Sequence, residues 1–337
     1  MFLLVLLTVN LALQPEDEDV LASVVRDAQL ANRDKLIQGR SRVEILYSPR
    51  EPREMDAPIR IVGSVVWKKD ASLSKFRCFE PKPYFVFSLA PRTTPDETEE
   101  QLLSTPQGVV LTNFGARRVA VHGRLEAYWD HTRLLHFNPR ILWFYPPAYG
   151  LGIDRPCWEM VGLKLPGSKL RIERIGSNLV KQVREDQDGG VLTILYDLEF
   201  AGLPVQSNYQ DSPSRPSRQF EIGNQIKEYT WKKSQGIVYP TKIRYHAQKR
   251  KSNAQAEAYE LRVLEVDFSP VDESSLDLKR YLSRLPADVL IDDRINNRVV
   301  PPRSRVGAAD VDVRLDALSR SLSSQGFLQN TERPPSR

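Results

Sequence analysis

Ile226-Lys227-Glu228-Tyr229-Thr230-Trp231-Lys232-Lys233-Ser234-Gln235-Gly236-Ile237-Val238-Tyr239-Pro240-Thr241-Lys242-Ile243-Arg244-Tyr245 is the stretch on which the fold turns. Aromatic and β-branched residues recur at every second position on both sides of Ser234-Gln235-Gly236, which reads as two strands joined by a tight turn. Tyr229 and Trp231 share one face of the first strand, and Ile237, Tyr239, Ile243 and Tyr245 share one face of the second. Lys227, Lys232, Lys242, Arg244, Lys249 and Arg250 are assigned to the opposite faces, giving a sheet apolar on one side and wet on the other.

The same period extends outward. Downstream, 256–268 reads as a strand in which Tyr259, Leu261 and Val263 hold one parity and Leu264, Val266 and Phe268 the other. Such a switch marks a bulge or a strand buried on both faces. Upstream, 170–175, 179–184, 191–200 and 218–222 are strand-like, with turn signals at Asp188-Gly189-Gly190, Gly223-Asn224 and Lys251-Ser252-Asn253. Short strands with tight turns between them indicate an antiparallel meander rather than βαβ units.

Toward the N-terminus, Val20, Leu21, Val24, Val25 and Ala28 have the spacing of an amphipathic helix ending near Asn32. Alternation returns at Val43, Ile45 and Tyr47, again at Ile59, Ile61, Val65 and Trp67, and in 75–80 and 84–89. Thr94-Pro95-Asp96-Glu97 has the residues of a helix start, so a helix through Leu103 is expected. Segments 119–128 and 132–137 read as a hairpin, and the prolines and glycines of 139–152 as a loop or small covering lobe. A short helix is expected over 278–285. From Asn296 the chain reads as a disordered tail, in which Val311, Leu315, Leu318 and Leu322 have weak helical spacing. The organisation expected is a domain over 20–295 with a divergent insertion at about 94–170, and a tail over 296–337.

Composition bounds the class. The chain has 337 residues, 41% hydrophobic and 27% charged, which suits a globular chain with a sizeable core. Its 48 basic and 43 acidic side chains leave +5, too mild an excess to indicate nucleic acid. The one long apolar run, in residues 1–14, is too short to span a bilayer and fits the apolar region of a secretory signal, although no Lys or Arg precedes it. A buried helix is the other reading; export would place the chain in the periplasm or outside the cell. Cys78 and Cys157 would pair in an oxidising compartment or serve as buried free thiols.

The search for chemistry returns little. No Gly-x-Ser-x-Gly elbow is present, and Gly150-Leu151-Gly152 lacks the third glycine and the lysine of a phosphate cradle. His122, His131 and His136, with Asp130, are too irregularly spaced for a zinc site and read as the wet face of a hairpin. Asp292-Asp293 and Glu185-Asp186 read as loop carboxylates, and Lys249-Arg250-Lys251 as a charged hairpin tip. No catalytic residue, metal ligand or cofactor is assigned.

One resemblance rests on named residues. Ala31-Asn32 after the first helix, Val65-Val66-Trp67, Lys75-Phe76-Arg77, the 226–243 hairpin with Gly236 and Tyr239-Pro240-Thr241, and the closing Val266-Asp267-Phe268-Ser269-Pro270-Val271-Asp272 occur in this order. The order resembles the LolA/LolB-like superfamily of lipoprotein carriers, particularly exported members from bacteria such as planctomycetes. The match extends over 191–277 and the first helix and strands. The resemblance implies an α+β fold: a strongly curved antiparallel sheet, an incomplete barrel, with helices over its concave face and acyl chains held in the hollow. It transfers no functional residue by position.

Periodicity leads to a similar place. A long meander with one apolar face must bury it, and two or three helices are too few to fill a wide curved sheet. The hollow would be lined by Val43, Ile45, Trp67, Tyr229, Trp231, Ile243 and Tyr245. The same side chains could instead interdigitate with the helices and fill it. The function expected is non-enzymatic binding of a lipid, an acyl chain or a lipidated protein, with peripheral membrane contact allowed. The alternative is a structural module of the envelope with a filled core, a docking tail and an envelope protein as partner.

Overall fold

The computed structural model describes residues 17–48, 59–79, 98–106, 108–113, 118–122, 157–212, 222–249, 255–286, 288–293 and 298–300. Helix α1 spans Glu18–Lys35. The Asp17 side chain caps it by accepting from the Asp19 N–H at 2.9 Å, with Glu18 and Asp19 in its first turn and Arg33 and Lys35 in its last. This charge order complements the helix dipole. Strands β1 (Gln38–Ser48), β2 (Ile59–Lys68), β3 (Ala71–Phe79), β4 (Thr98–Thr105), β5 (Gly108–Asn113) and β6 (Arg118–His122) follow. After the single turn α2 (Cys157–Met160) come β7 (Lys169–Arg174), β8 (Leu179–Glu185), β9 (Val191–Asp197) and β10 (Leu203–Gln210). The chain continues through β11 (Ile222–Ser234), β12 (Ile237–Lys249), β13 (Gln255–Asp267), α3 (Leu278–Ser283), β14 (Leu290–Asp293) and β15 (Arg298–Val300).

These strands form one unclosed sheet of fifteen, in the order β15-β14-β6-β5-β4-β3-β2-β1-β13-β12-β11-β10-β9-β8-β7. Neighbours are antiparallel except β14, which runs parallel to β6, so the sheet is mixed. The central joint is β1 on β13. There Arg42 faces Glu265 and Val43 faces Val263, which leaves Leu264 as the extra residue of a bulge, where the parity of the sequence changes.

The helices lie on opposite faces. On the face carrying Trp67, α1 buries Leu21, Ala22 and Val25 against Ile172, Val180, Leu192, Ile194, Tyr196 and Tyr209 of β7–β10. Leu36, just past the helix, packs with Val43, Ile45 and Trp67. On the other face, α3 and the turn before it bring Leu276 and Leu282 onto Leu73, Leu103, Val110, Val119 and Val121. The Thr112 and Tyr281 hydroxyls meet there at 2.7 Å.

The helix expected through Leu103 is strand β4 instead. Its Leu102 and Leu103 are both buried, one on each face, between β3 and β5. A strand covered on both sides shows an unbroken apolar pair in place of alternation, and sheet pairing overrides the local capping signal. Strand β10 was absent from the sequence reading, and the turn expected at Gly223-Asn224 between strands 218–222 and 226–233 is instead a bulge inside β11, which runs unbroken from Ile222; residues 218–221 lie outside the described residues. Arg298–Val300, inside the stretch read as a tail, is the edge strand β15. The 84–89 strand, the 132–137 strand and the 139–152 loop lie outside the described residues, as does Asp130.

Candidate ligand-binding face

The candidate lining residues are all on the Trp67 face, in register. Ile61, Ile45, Leu261, Ile243 and Tyr229 stand opposite one another in turn across β2, β1, β13, β12 and β11. Val43, Ile45, Trp67, Tyr229, Trp231, Ile243 and Tyr245 are each no more than 7% exposed. Six of them share one cluster with Leu36, Cys157 and Leu203, against which Trp158 and Phe200 also pack. Tyr245 stands beside that cluster, stacked on Tyr259 with ring centroids 5.1 Å apart.

Aromatic geometry and backbone acceptors hold the face together. Tyr229 and Trp231 stack at 5.5 Å, while Phe268 meets Trp67 edge-on at 6.4 Å and Tyr239 at 5.7 Å. Both indole N–H groups are occupied: Trp67 donates to the Leu36 carbonyl at 3.2 Å and Trp231 to the Pro204 carbonyl at 2.8 Å. Burial of these rings therefore leaves no indole donor orphaned. Gly39 and Gly63 make room for the large rings opposite them, since an added Cβ would come within 2.5 Å of Trp67 and 2.3 Å of Phe76.

Two details of the sequence reading change. Lys227 lies on the buried side, not the wet one: it is two residues from Tyr229 and therefore shares its face, 7% exposed, with its Nζ 5.2 Å from the Tyr229 ring centre. In β12, Thr241 is a bulge residue, so Pro240 stands opposite Trp231 and Tyr239 opposite Lys232, and Tyr239 does not keep the parity of Ile243 and Tyr245 as expected. A proline is accommodated there because the ladder is already interrupted.

Buried polar groups line the seam between α1 and the sheet. Gln29 donates to the Gly202 carbonyl, and the Cys157 thiol donates to Gln29 Oε1 at 3.3 Å. Gly202 has φ +65°, and a Cβ there would meet the Val25 carbonyl at 2.8 Å, so only glycine lets the turn approach the helix. Burial pushes the Cys157 thiol well above its usual range, with Lys227 opposing, and pushes the Tyr196 and Tyr229 phenols up as well. A thiol held protonated is a poor nucleophile. Cys157 is a free thiol here, buried in the cluster of Leu36 and Trp67.

Sequence reasoning missed Gln29, Asn32, Lys227 and Arg184 as interior groups. Arg184 is fully buried and donates from Nε to Asp186 at 2.9 Å. Strict period-two parity from Tyr229 and from Val180 would have placed Lys227 and Arg184 on this face; nothing in the local sequence marks Gln29 or Asn32. His122 closes β6, and His131 and His136 lie outside the described residues. Among the described residues no cluster of His, Cys, Asp or Glu could hold a metal ion, and no helix is long and apolar enough to cross a membrane.

No family model matches the chain, and no curated protein matches it. Among solved structures, the crystal structure of a LolA superfamily protein from Nitrosomonas europaea is similar at 12% identity with a TM-score of 0.38, covering 75% of this chain and 97% of that chain. An N-terminal dehydratase from the difficidin assembly line matches at 10% identity with a TM-score of 0.13, covering 77% of this chain and 85% of that chain. These are likenesses of fold at most, and neither ligand nor location follows from them.

Proposed function

We propose that this chain is a non-enzymatic, exported envelope protein that holds an acyl chain, or a partner bearing one, against the Trp67 face of its sheet, beneath its helical cover. The observation that carries the reading is the continuous row Ile61–Ile45–Leu261–Ile243–Tyr229 across five adjacent strands of an unclosed sheet. With the indole donors of Trp67 and Trp231 already satisfied, this surface favours hydrocarbon over polar ligands. Each buried methylene would contribute about 0.8 kcal/mol, enough for affinity without a polar anchor.

The test is displacement of a fluorescent fatty acid from the purified full chain by acyl chains of several lengths. Saturable binding that strengthens with chain length supports the carrier reading. A folded protein that binds none of them rejects it. Trp231→Ala serves as the internal control and should weaken binding at least tenfold.

A second reading has its own support. The lining residues are buried among Leu36, Cys157, Trp158 and Phe200, which is how a filled core looks. In that case the chain is a structural module of the envelope whose partner contacts lie elsewhere. Removal of residues 302–337 should then abolish partner capture while the thermal unfolding midpoint is unchanged.

A further inference from the structure

On the face opposite Trp67, the central strands carry a ladder of charges in which cations outnumber carboxylates. Glu44 receives Arg60 at 2.7 Å and Arg262 at 3.6 Å. Glu260 receives Arg262 at 2.6 Å, Arg244 at 2.8 Å and Lys242 at 4.0 Å. Two carboxylates thus serve four cations, with Glu228 beside Arg244 as a further acid. On the same face, Arg40 and Arg42 of β1 and Lys75 of β3 are exposed; Arg42 lies 3.9 Å from Glu265, Arg40 stands opposite Asp267, and Arg42 and Lys75 both face Ser64 of the strand between them. Opposite the step from Arg42 to Val43, the bulge leaves Leu264 52% exposed.

A broad face of fixed cations with an exposed leucine among them has the chemistry of an interfacial contact. The cations are attracted by the negative surface potential of anionic lipids, and the leucine adds a small apolar insertion. We propose that this face, centred on Arg40, Arg42, Lys75 and Leu264, docks on a bilayer surface containing anionic phospholipid. Charge complementarity selects that occupant. Among these residues seven cations face five carboxylates, Glu44, Glu228, Glu260, Glu265 and Asp267, so the face keeps an excess of positive charge, and strand pairing holds the cations at fixed spacing.

The experiment is co-sedimentation of the full chain with phosphatidylcholine vesicles, with and without phosphatidylglycerol, between low and high salt. Binding is expected only with phosphatidylglycerol and should fall at least tenfold as salt is raised, because screening weakens contacts between exposed charges. Each removed cation should cost about fivefold, so the Arg40→Ser, Arg42→Ser, Lys75→Ser triple variant should lose on the order of a hundredfold. Its acyl-chain displacement should match wild type, which separates this surface from the Trp67 face. Equal binding to neutral vesicles, no binding to anionic ones, or a folded triple variant that binds as wild type does would each overturn the proposal. The salt series on the unmodified chain decides the matter even if the variant does not fold.

Discussion

Asn32 and Val238, 206 positions apart, are joined in the manner of two paired strands. The Asn32 side-chain amide donates to the Val238 carbonyl at 2.9 Å, and the Val238 N–H donates to Asn32 Oδ1 at 2.8 Å. A helix side chain thereby imitates a strand backbone at the end of the 222–249 hairpin and fixes α1 across the sheet. Both groups are buried, so neither bond can be replaced by water without rearrangement.

Asn32→Ala should therefore lower stability by about 2–4 kcal/mol in urea unfolding, from two buried backbone groups left unpaired. Asn32→Asp keeps the acceptor and loses the donor, so at neutral pH it should destabilise as well, recovering part of the loss as the carboxyl is protonated. A loss below about 0.5 kcal/mol for the alanine variant would show that α1 is held by apolar packing alone.

Gly63 faces Phe76 across β2 and β3 with no room for a Cβ. Gly63→Ala should cost about 1–3 kcal/mol through overpacking. Combining it with Phe76→Leu should restore part of that loss, because the two changes share one space. Strict additivity in a double-mutant cycle would contradict the contact.

Cys157 should be nearly inert. In a Cys78→Ser background, reaction with an aromatic disulfide reagent should be slow in the folded protein and rapid in denaturant, since the buried thiol stays protonated. Rapid modification under native conditions would mean that α2 opens readily.

Glu260 is held below the usual carboxylate range, first by its hydrogen bond from Arg244 and further by Arg262 and Lys242. A folded-state value below the unfolded one means that the unfolded chain binds the extra proton. The resulting stabilisation is complete above the ordinary glutamate range and is lost as pH falls through the folded-state value. Unfolding midpoints of Glu260→Gln should show a shallower acid limb than wild type, with the two curves converging at low pH; parallel curves would remove Glu260 from the acid response.

The hairpin over Tyr229–Tyr245, the bulge at Leu264 and α1 were legible because each leaves a local mark: a glycine turn, a change of parity, a helical apolar stripe. Strand β10 left none. Its Pro204, Gln206, Ser207 and Asn208 look like a loop, and only pairing with β9 and β11 makes them a strand. β4 was misread because a strand buried on both faces loses its alternation, and Lys227 because charge was allowed to outweigh parity. That Val43, Ile45, Trp67, Tyr229, Trp231, Ile243 and Tyr245 share one buried face was legible from alternation alone, whereas the seam of Gln29, Asn32 and Cys157 exists only once distant segments meet.

The joint between β1 and β13 also governs when the molecule can form. Residues 38–48 must wait for residues 258–267 before the middle of the sheet has a partner on both sides. β2–β6 and β7–β12 can each assemble from near neighbours, but their union requires closing a loop of most of the chain, a slow, entropy-limited event. A nascent polypeptide of this design stays open until residue 267 has been made, and its two arms present unpaired strand edges throughout that interval.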